Sequence, residues 1–345
     1  MTHRINSQTF LGGWMLALSL ILVAGCAAPV ATDAPAVTAV VETAAHDDAM
    51  HEAEALPALA PVTLAEGEKL RVVATTNLVG DVVRQVGGDA IDLTLLLPPG
   101  ADPHSYQARP DDLRKLNAAN VVFINGLHLE EAMTPALGNL DSSAPVIAVN
   151  TGVATRKFGG DHEAADAGHA DADPHTWMDV RNVQQWVENI AAVLATLDPA
   201  HAEEFTANAA AYQTQLDALH QEITALAAAI PAERRKFVTD HDNLGYLADA
   251  YGFSVVGAVV PSLSTLAAPS AQELAALQQQ VAQQGVTAIL VGTTVNPDVA
   301  QQIAADTGAV VTPIYTDSLS DASGPAATYI DMMRYNLTQI AAALE

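Results

Sequence analysis

The sequence predicts an α/β protein: two parallel-sheet α/β lobes joined by one long backbone helix, with a cleft between the lobes. Three observations carry this. Short β-branched runs alternate with helically spaced segments over residues 69–199 and again over 231–345, a pattern that puts helices on both faces of a mostly parallel sheet. Between the two series runs one apolar stripe, Phe205, Tyr212, Leu216, Leu219, Ile223, Leu226 and Ile230, which predicts a single helix over 200–230. Asp198-Pro199 opens that helix and Pro231 stops it. Finally, 345 residues, 50% of them hydrophobic, can fill two ordinary cores.

The elements follow in order. "KLRVVATT" is a buried strand by its β-branched run, and "NLVGDVVRQVGG" has helical spacing at Leu78, Val82, Val83 and Val86 before closing on Gly87-Gly88. Next come strand "IDLTLLL", a helix from about Pro110 to Ala119, strand "NVVFIN", a helix from about Leu129 and strand "PVIAV". The helical "RNVQQWVENIAAVLATL" leads into the long helix, which is too short and Ala-rich to require a partner chain, so the chain reads as a monomer. The second lobe reads as strand "KFVTD", helix "NLGYLADAYG", strand "FSVVGAVV", helix "SAQELAALQQQVAQQG", strand "VTAILVG", helix "PDVAQQIAADTG", strand "AVVTPIY" and a helix from about Pro325 to Ala343.

Ahead of the lobes, residues 1–25 carry one basic residue, Arg4, then the apolar run "FLGGWMLALSLILVAG". That is the organisation of a secretory signal peptide, and the run is short for a membrane span. "VAGC" resembles a bacterial lipobox, which implies that Cys26 becomes the lipid-modified first residue and anchors the protein on the extracytoplasmic face of a membrane. Residues 26–68, rich in Ala, Pro, Val, Thr and acids without a sustained period, read as a disordered acidic tether; His46 and His51 in it read as solvated.

A formal charge of −26 repels nucleic acid and attracts cations, which closes the DNA and RNA readings. Cys26 is the sole cysteine, so no disulfide, thiolate site or cysteine nucleophile is available, and any metal site must use His, Asp and Glu. No HExxH, phosphate-binding glycine loop or nucleophile elbow occurs.

In open parallel sheets, ligands sit beyond the carboxyl ends of the strands. Four such positions carry ligand chemistry: His104 after "LTLLLPPG", His175 after "PVIAV", His241 after "KFVTD" and Asp317 after "AVVTPIY". Two belong to each lobe. Three imidazoles and a carboxylate can close a four-coordinate shell around Zn²⁺, or Mn²⁺ with poorer matching. His104 and His175 each end an Asp-Pro-His tripeptide followed by an aromatic, Tyr106 or Trp177. The proline stiffens the approach, while Asp102 and Asp173 read either as imidazole partners or as turn residues.

The segments "LLPPGADPHSYQARPDDLRKL", "VFINGLHLE", "DPHTWMDVRN", "FVTDHDNLGYLADAYG", "TPIYTDSLS" and "GPAATYIDMMRYNL", in this order, resemble the zinc/manganese solute-binding lipoproteins of ABC importers, from about Leu70 onward. The resemblance implies a receptor that captures a divalent ion between two lobes and hands it to an ABC permease, with His104, His175, His241 and Asp317 as ligands. Many members have a glutamate where this chain has Gly292 and an acidic residue where it has Ala268. Manganese-type members often use glutamate in place of His241, so the resemblance tilts toward zinc. It also implies a metal-gathering role for the loop "FGGDHEAADAGHADADPH", with His162 and His169 as auxiliary binders; a plain solvated loop is the competing reading. His128 reads as structural, and His201 and His220 as surface residues of the long helix. A metallohydrolase using an open coordination position, and a cell-surface adhesin, are the alternatives to a receptor.

Overall fold

Each series of alternating segments forms a four-stranded parallel sheet, and both sheets have the same strand plan. The structure, a computed structural model, describes residues 55–140, 144–157 and 172–345. Residues 1–25, Cys26, His46, His51, His162 and His169 therefore lie outside the described residues.

The first sheet contains β1 (Leu70–Ala74), β2 (Ile91–Leu95), β3 (Val121–Ile124) and β4 (Val146–Ala148) in the order β2-β1-β3-β4. Its helices are α1 (Asn77–Gly87), α2 (Pro110–Ala118) and α3 (Thr134–Gly138). Two longer helices follow, α4 (Val180–Leu197) and α5 (Ala202–Ala229). The second sheet contains β5 (Lys236–His241), β6 (Ser254–Val260), β7 (Ala288–Gly292) and β8 (Val310–Ile314) in the order β6-β5-β7-β8. Around it lie α6 (Gly245–Tyr251), α7 (Ala271–Gln284), α8 (Asp298–Thr307) and α9 (Tyr329–Leu344).

Alternation along the central strands sends successive side chains to opposite cores. Val72, Phe237 and Leu290 join one large cluster, while Val73 packs under α2 and α3, and Val238 and Ile289 under α7 and α8. The sequence thus suggests two cores, one per lobe, whereas the structure has one shared core running through both halves and a satellite on the outer face of each sheet. The shared core takes in α1, α4, α5 and α9, and α5, 28 residues and about 42 Å long, is its axis. Phe205, Tyr212, Leu216, Leu219 and Ile223 are buried along α5 as the stripe requires; Leu226 is only partly buried, and Ala209 and Ala227 complete the face.

Three boundaries differ from the sequence reading. The helix expected from about Leu129 begins at Thr134: left-handed backbone at Leu127 and His128 (φ 53° and 61°) leads into a 3-10 turn over Glu131–Met133, and the α-helix starts only after it. The last helix begins at Tyr329 rather than near Pro325, where the Thr328 side chain accepts the Asp331 N–H as cap. Most consequentially, residues 55–68 are not tether. Leu56, Leu59, Val62 and Leu64 pack against the shared core, and the Val62 N–H donates to the Leu197 carbonyl at 2.8 Å. Composition pointed to disorder, but four aliphatic side chains and an unsatisfied carbonyl at the end of α4 give this strap somewhere to bind. Among the described residues no helix is long and apolar enough to cross a membrane.

A chain starting at residue 69 should therefore be less stable than one starting at residue 55, by about 2–4 kcal/mol for the lost aliphatic burial. Urea unfolding of the metal-free proteins checks this; equal midpoints would show that the strap contributes nothing.

Candidate metal centre

The carboxyl ends of the two sheets face a common point, and the local chain directs four side chains to it. After β2, Pro98 and Pro99 end the ladder because they lack an N–H, and a turn at Asp102 presents His104. The Asp102 Oδ1 accepts the His104 N–H at 2.9 Å. Beyond β4, the same device recurs at His175, whose N–H donates to Asp173 Oδ1 at 3.0 Å. His241 is the last residue of β5, which runs one position further than the sequence suggested. Asp317 follows β8.

All four side chains are at most 1% exposed, and one ligand atom from each lies within 4.8 Å of every other. His104 Nε2 and His175 Nε2 are 3.2 Å apart. Asp317 places Oδ1 3.8 Å from His175 Nε2 and Oδ2 4.0 Å from His241 Nε2. Two of these atoms, His241 Nε2 and Asp317 Oδ1, are buried with no hydrogen-bond partner. A buried donor or acceptor left unsatisfied costs about 1–3 kcal/mol, and a cation at the centre of the four would relieve it.

On two of the histidines the other ring nitrogen is held from behind. His175 Nδ1 lies 2.8 Å from Asp173 Oδ1, and Asp173 Oδ2 accepts from Arg156 at 3.2 Å. His241 Nδ1 lies 2.9 Å from Asp240 Oδ1, whose other oxygen accepts the Gly292 N–H at 2.5 Å. A carboxylate on Nδ1 fixes the tautomer that leaves Nε2 free to bind. Of the two aspartates flagged in the tripeptides, Asp173 is thus both turn residue and imidazole partner. Asp102 is a turn residue only, its Oδ2 taken by Ser105 and Thr265. Asp240 was missed: it directly precedes its histidine, so a search for the Asp-Pro-His spacing passes over it.

Electrostatics follow from burial and these partners. Burial pushes His104 well below the ordinary imidazole value, helped by His175 and His241. Burial acts the same way on His241, but Asp240 and Asp317 overcome it and hold His241 up to about 9. Burial raises Asp317 despite the neighbouring histidines. Asp173 and Asp240, equally buried, stay below the usual carboxylate range because their histidine partners and donated hydrogen bonds favour the charge.

The two tripeptide aromatics differ in use. The Tyr106 hydroxyl donates to Asp112 at 2.8 Å, bracing the start of α2. Trp177 Nε1 donates to the Thr316 carbonyl at 2.9 Å, so the turn bearing His175 is tied to the segment bearing Asp317. Of the remaining histidines, His128 is exposed on the left-handed turn, His201 is paired with Asp198 at 2.6 Å, and His220 faces the Tyr251 hydroxyl at 3.3 Å. None joins the cluster.

Residues 72–343 match the family described as zinc-uptake complex component A, periplasmic. The chain belongs to this family. Among its relatives, the zinc-binding protein TroA of Treponema pallidum is 33% identical over 81% of this chain and 90% of its own length. The manganese-binding lipoprotein MntA of Halalkalibacterium halodurans is 31% identical over 82% and 91%. The Mn-bound periplasmic metal binding protein of Candidatus Liberibacter asiaticus superposes with a TM-score of 0.72 at 29% identity, covering 80% of this chain and all of that one. The TroA structure gives 0.70 at 32% identity, covering 80% and 99%. Membership makes the chain a metal-binding solute receptor of an ABC importer and not an enzyme, which removes the metallohydrolase alternative.

At Gly292, where the resemblance leads to the expectation of a glutamate, the surroundings leave no room for a side chain. A Cβ there would lie 2.3 Å from Thr316 Oγ1 and 3.0 Å from Asp240 Oδ2. Thr316 Oγ1 in turn donates to Asp317 at 2.9 Å. Gly292→Ala should therefore overpack the floor of the site, cost about 1–3 kcal/mol and displace Asp317. Denaturant unfolding of the metal-free variant measures the first effect; unchanged stability would show that Thr316 moves aside freely.

Proposed function

We propose that the chain is an extracytoplasmic receptor that captures one divalent ion, zinc in preference to manganese, between His104, His175, His241 and Asp317, and delivers it to an ABC permease. The observation that carries this is the convergence of four buried ligand atoms within 4.8 Å, two of them without any hydrogen-bond partner. A closed set of four protein ligands suits binding, where catalysis needs an open position. Three nitrogen donors to one carboxylate favour zinc over the oxygen-preferring manganese. Relatives named for zinc and for manganese are almost equally similar to this chain, so the donor set and not the identity supports zinc. Cys26 supplies the lipid anchor that keeps the receptor beside its permease, and His162 and His169 act as auxiliary binders ahead of the main site. The domain reading that goes with this is a first lobe over 69–199, a linking helix over 200–230 and a second lobe over 231–345. An adhesin role draws no support from the site.

Competition between Zn²⁺ and Mn²⁺ at neutral pH tests the metal, with zinc expected to bind more tightly; the reverse order would overturn the choice. Bound zinc should stabilise the fold by roughly 4 kcal/mol at a thousandfold excess over Kd. Asp317→Ala leaves three imidazoles and opens a position for water, so affinity should fall at least about tenfold, or ~1.4 kcal/mol, with a smaller metal-induced rise in Tm. Wild-type behaviour would place Asp317 outside the shell.

The pH dependence has a definite sign. His241 is held up to about 9 in the metal-free fold, above the unfolded imidazole value of about 6.5, so its charge stabilises that fold fully below 6.5 and the contribution is lost as pH rises through 9. Zinc must displace this proton. Affinity should therefore keep rising with pH between about 6.5 and 9, and calorimetry in buffers of different ionisation enthalpy should show about one proton released near pH 7.5. No proton release would mean that His241 is already neutral there.

A further inference from the structure

With all four side chains at most 1% exposed, an ion in bulk water has no direct line to the cluster. A cavity of about 360 Å³ reaches it from outside, with His104 at its inner end. One wall is Leu127, His128 and Glu131 from the first half; the other is the 261–264 segment after β6. Both walls are built features. On the first, Leu127 and His128 hold consecutive left-handed backbone at φ 53° and 61°, a conformation strained for a residue with a Cβ. The buried Glu130 carboxylate pins that turn by accepting the Asn125 and Gly126 N–H groups at 2.7 and 3.2 Å. Glycine would adopt the His128 conformation without strain; instead an exposed imidazole stands there, with the exposed Glu131 on the same cavity.

The second wall is fastened at both ends. At its base the Asp242 N–H, next to His241, donates to the Ser262 carbonyl at 2.9 Å. At its tip Thr265 Oγ1 reaches across to Asp102 Oδ2 at 2.6 Å. Asp102 is the residue whose other oxygen sets the turn of His104. The bond at the tip of the second wall therefore ends on the turn that presents His104.

We propose that this cavity is the portal through which a divalent ion enters and leaves at the His104 edge, that His128 and Glu131 receive the ion at its rim, and that the Thr265–Asp102 bond is its latch. The proposal rests on the reading of the four-residue cluster as the metal site. The latch is closed before and after the passage of the ion and opens only on the path, so its contribution to the two end states cancels. Altering it moves uptake and loss by the same factor and leaves Kd where it was, whereas altering a ligand or a structural support changes Kd.

Stopped-flow uptake of Zn²⁺, and its loss to an excess of chelator, measured on the full chain, separate these cases. Thr265→Val keeps the shape and removes the hydroxyl, so both rates should rise. His128→Gly keeps the turn and removes the imidazole, so both rates should fall. The expected changes are about three- to tenfold, with Kd held within about twofold. Wild-type rates in both variants would overturn the portal. A change in Kd carried by the loss rate alone would overturn it too, making these residues structural supports. Failure of the unaltered chain to bind zinc would instead overturn the metal-site reading on which the proposal stands.

Discussion

Burying three imidazoles and a carboxylate at one point leaves polar atoms with no hydrogen-bond partner, and the surrounding structure is organised to bear that cost. His241 Nε2 and Asp317 Oδ1 are the atoms that show it. Left to relax, such groups would rotate toward backbone donors or water. Three of the four do not, because a neighbour grips them: His175 by Asp173, His241 by Asp240, and Asp317 by Thr316 and Thr294. The grips are themselves held, by Arg156, by the Gly292 N–H and by the Asn243 amide. This is preorganisation in a literal sense: the ion meets donors already desolvated and aimed, and little ordering remains to be done when it arrives.

Preorganisation across two sheets requires that the sheets not drift. The shared apolar core supplies most of that rigidity, with α5 as its axis. Polar ties finish it close to the site. Trp177 binds the Thr316 carbonyl, the Tyr329 hydroxyl binds the Trp177 carbonyl at 2.7 Å, and Asn77 bridges to both Ser318 and Leu319. Asp81 on α1 accepts the first N–H of α9 at 2.9 Å. Wide hinge opening would break all of these together, so motions that admit or release an ion are confined to loops and small shifts at the edges of the halves.

Much of this was legible in the residues. The strands were visible because central parallel strands are apolar on both faces, and α5 because its stripe keeps step for seven positions. The four site residues stood out because strand ends in open sheets collect ligands. What escaped was whatever depends on a tertiary partner. The strap at Leu56 to Leu64 has the composition of a linker and orders because the shared core receives its four aliphatic side chains and the end of α4 offers a carbonyl. Asp240 is one residue from its histidine in a strand, where alternation would send it to the opposite face, and only the strand's end lets it turn back. The left-handed pair at Leu127 and His128 leaves no mark in the sequence, since the turn is held by the buried Glu130 carboxylate and the Asn125 side chain, whose roles only the folded structure shows.

The three buried carboxylates around the centre also fix a valence. Asp173 is offset by the guanidinium of Arg156. Among the described residues Asp240 and Asp317 have no guanidinium beside them; the charge they face is that of His241, which ligation must remove. With His241 neutral, two carboxylates stand side by side in a medium of low dielectric, where unbalanced charge is expensive. A doubly charged ion matches them, so valence becomes a criterion of fit in addition to geometry and donor softness.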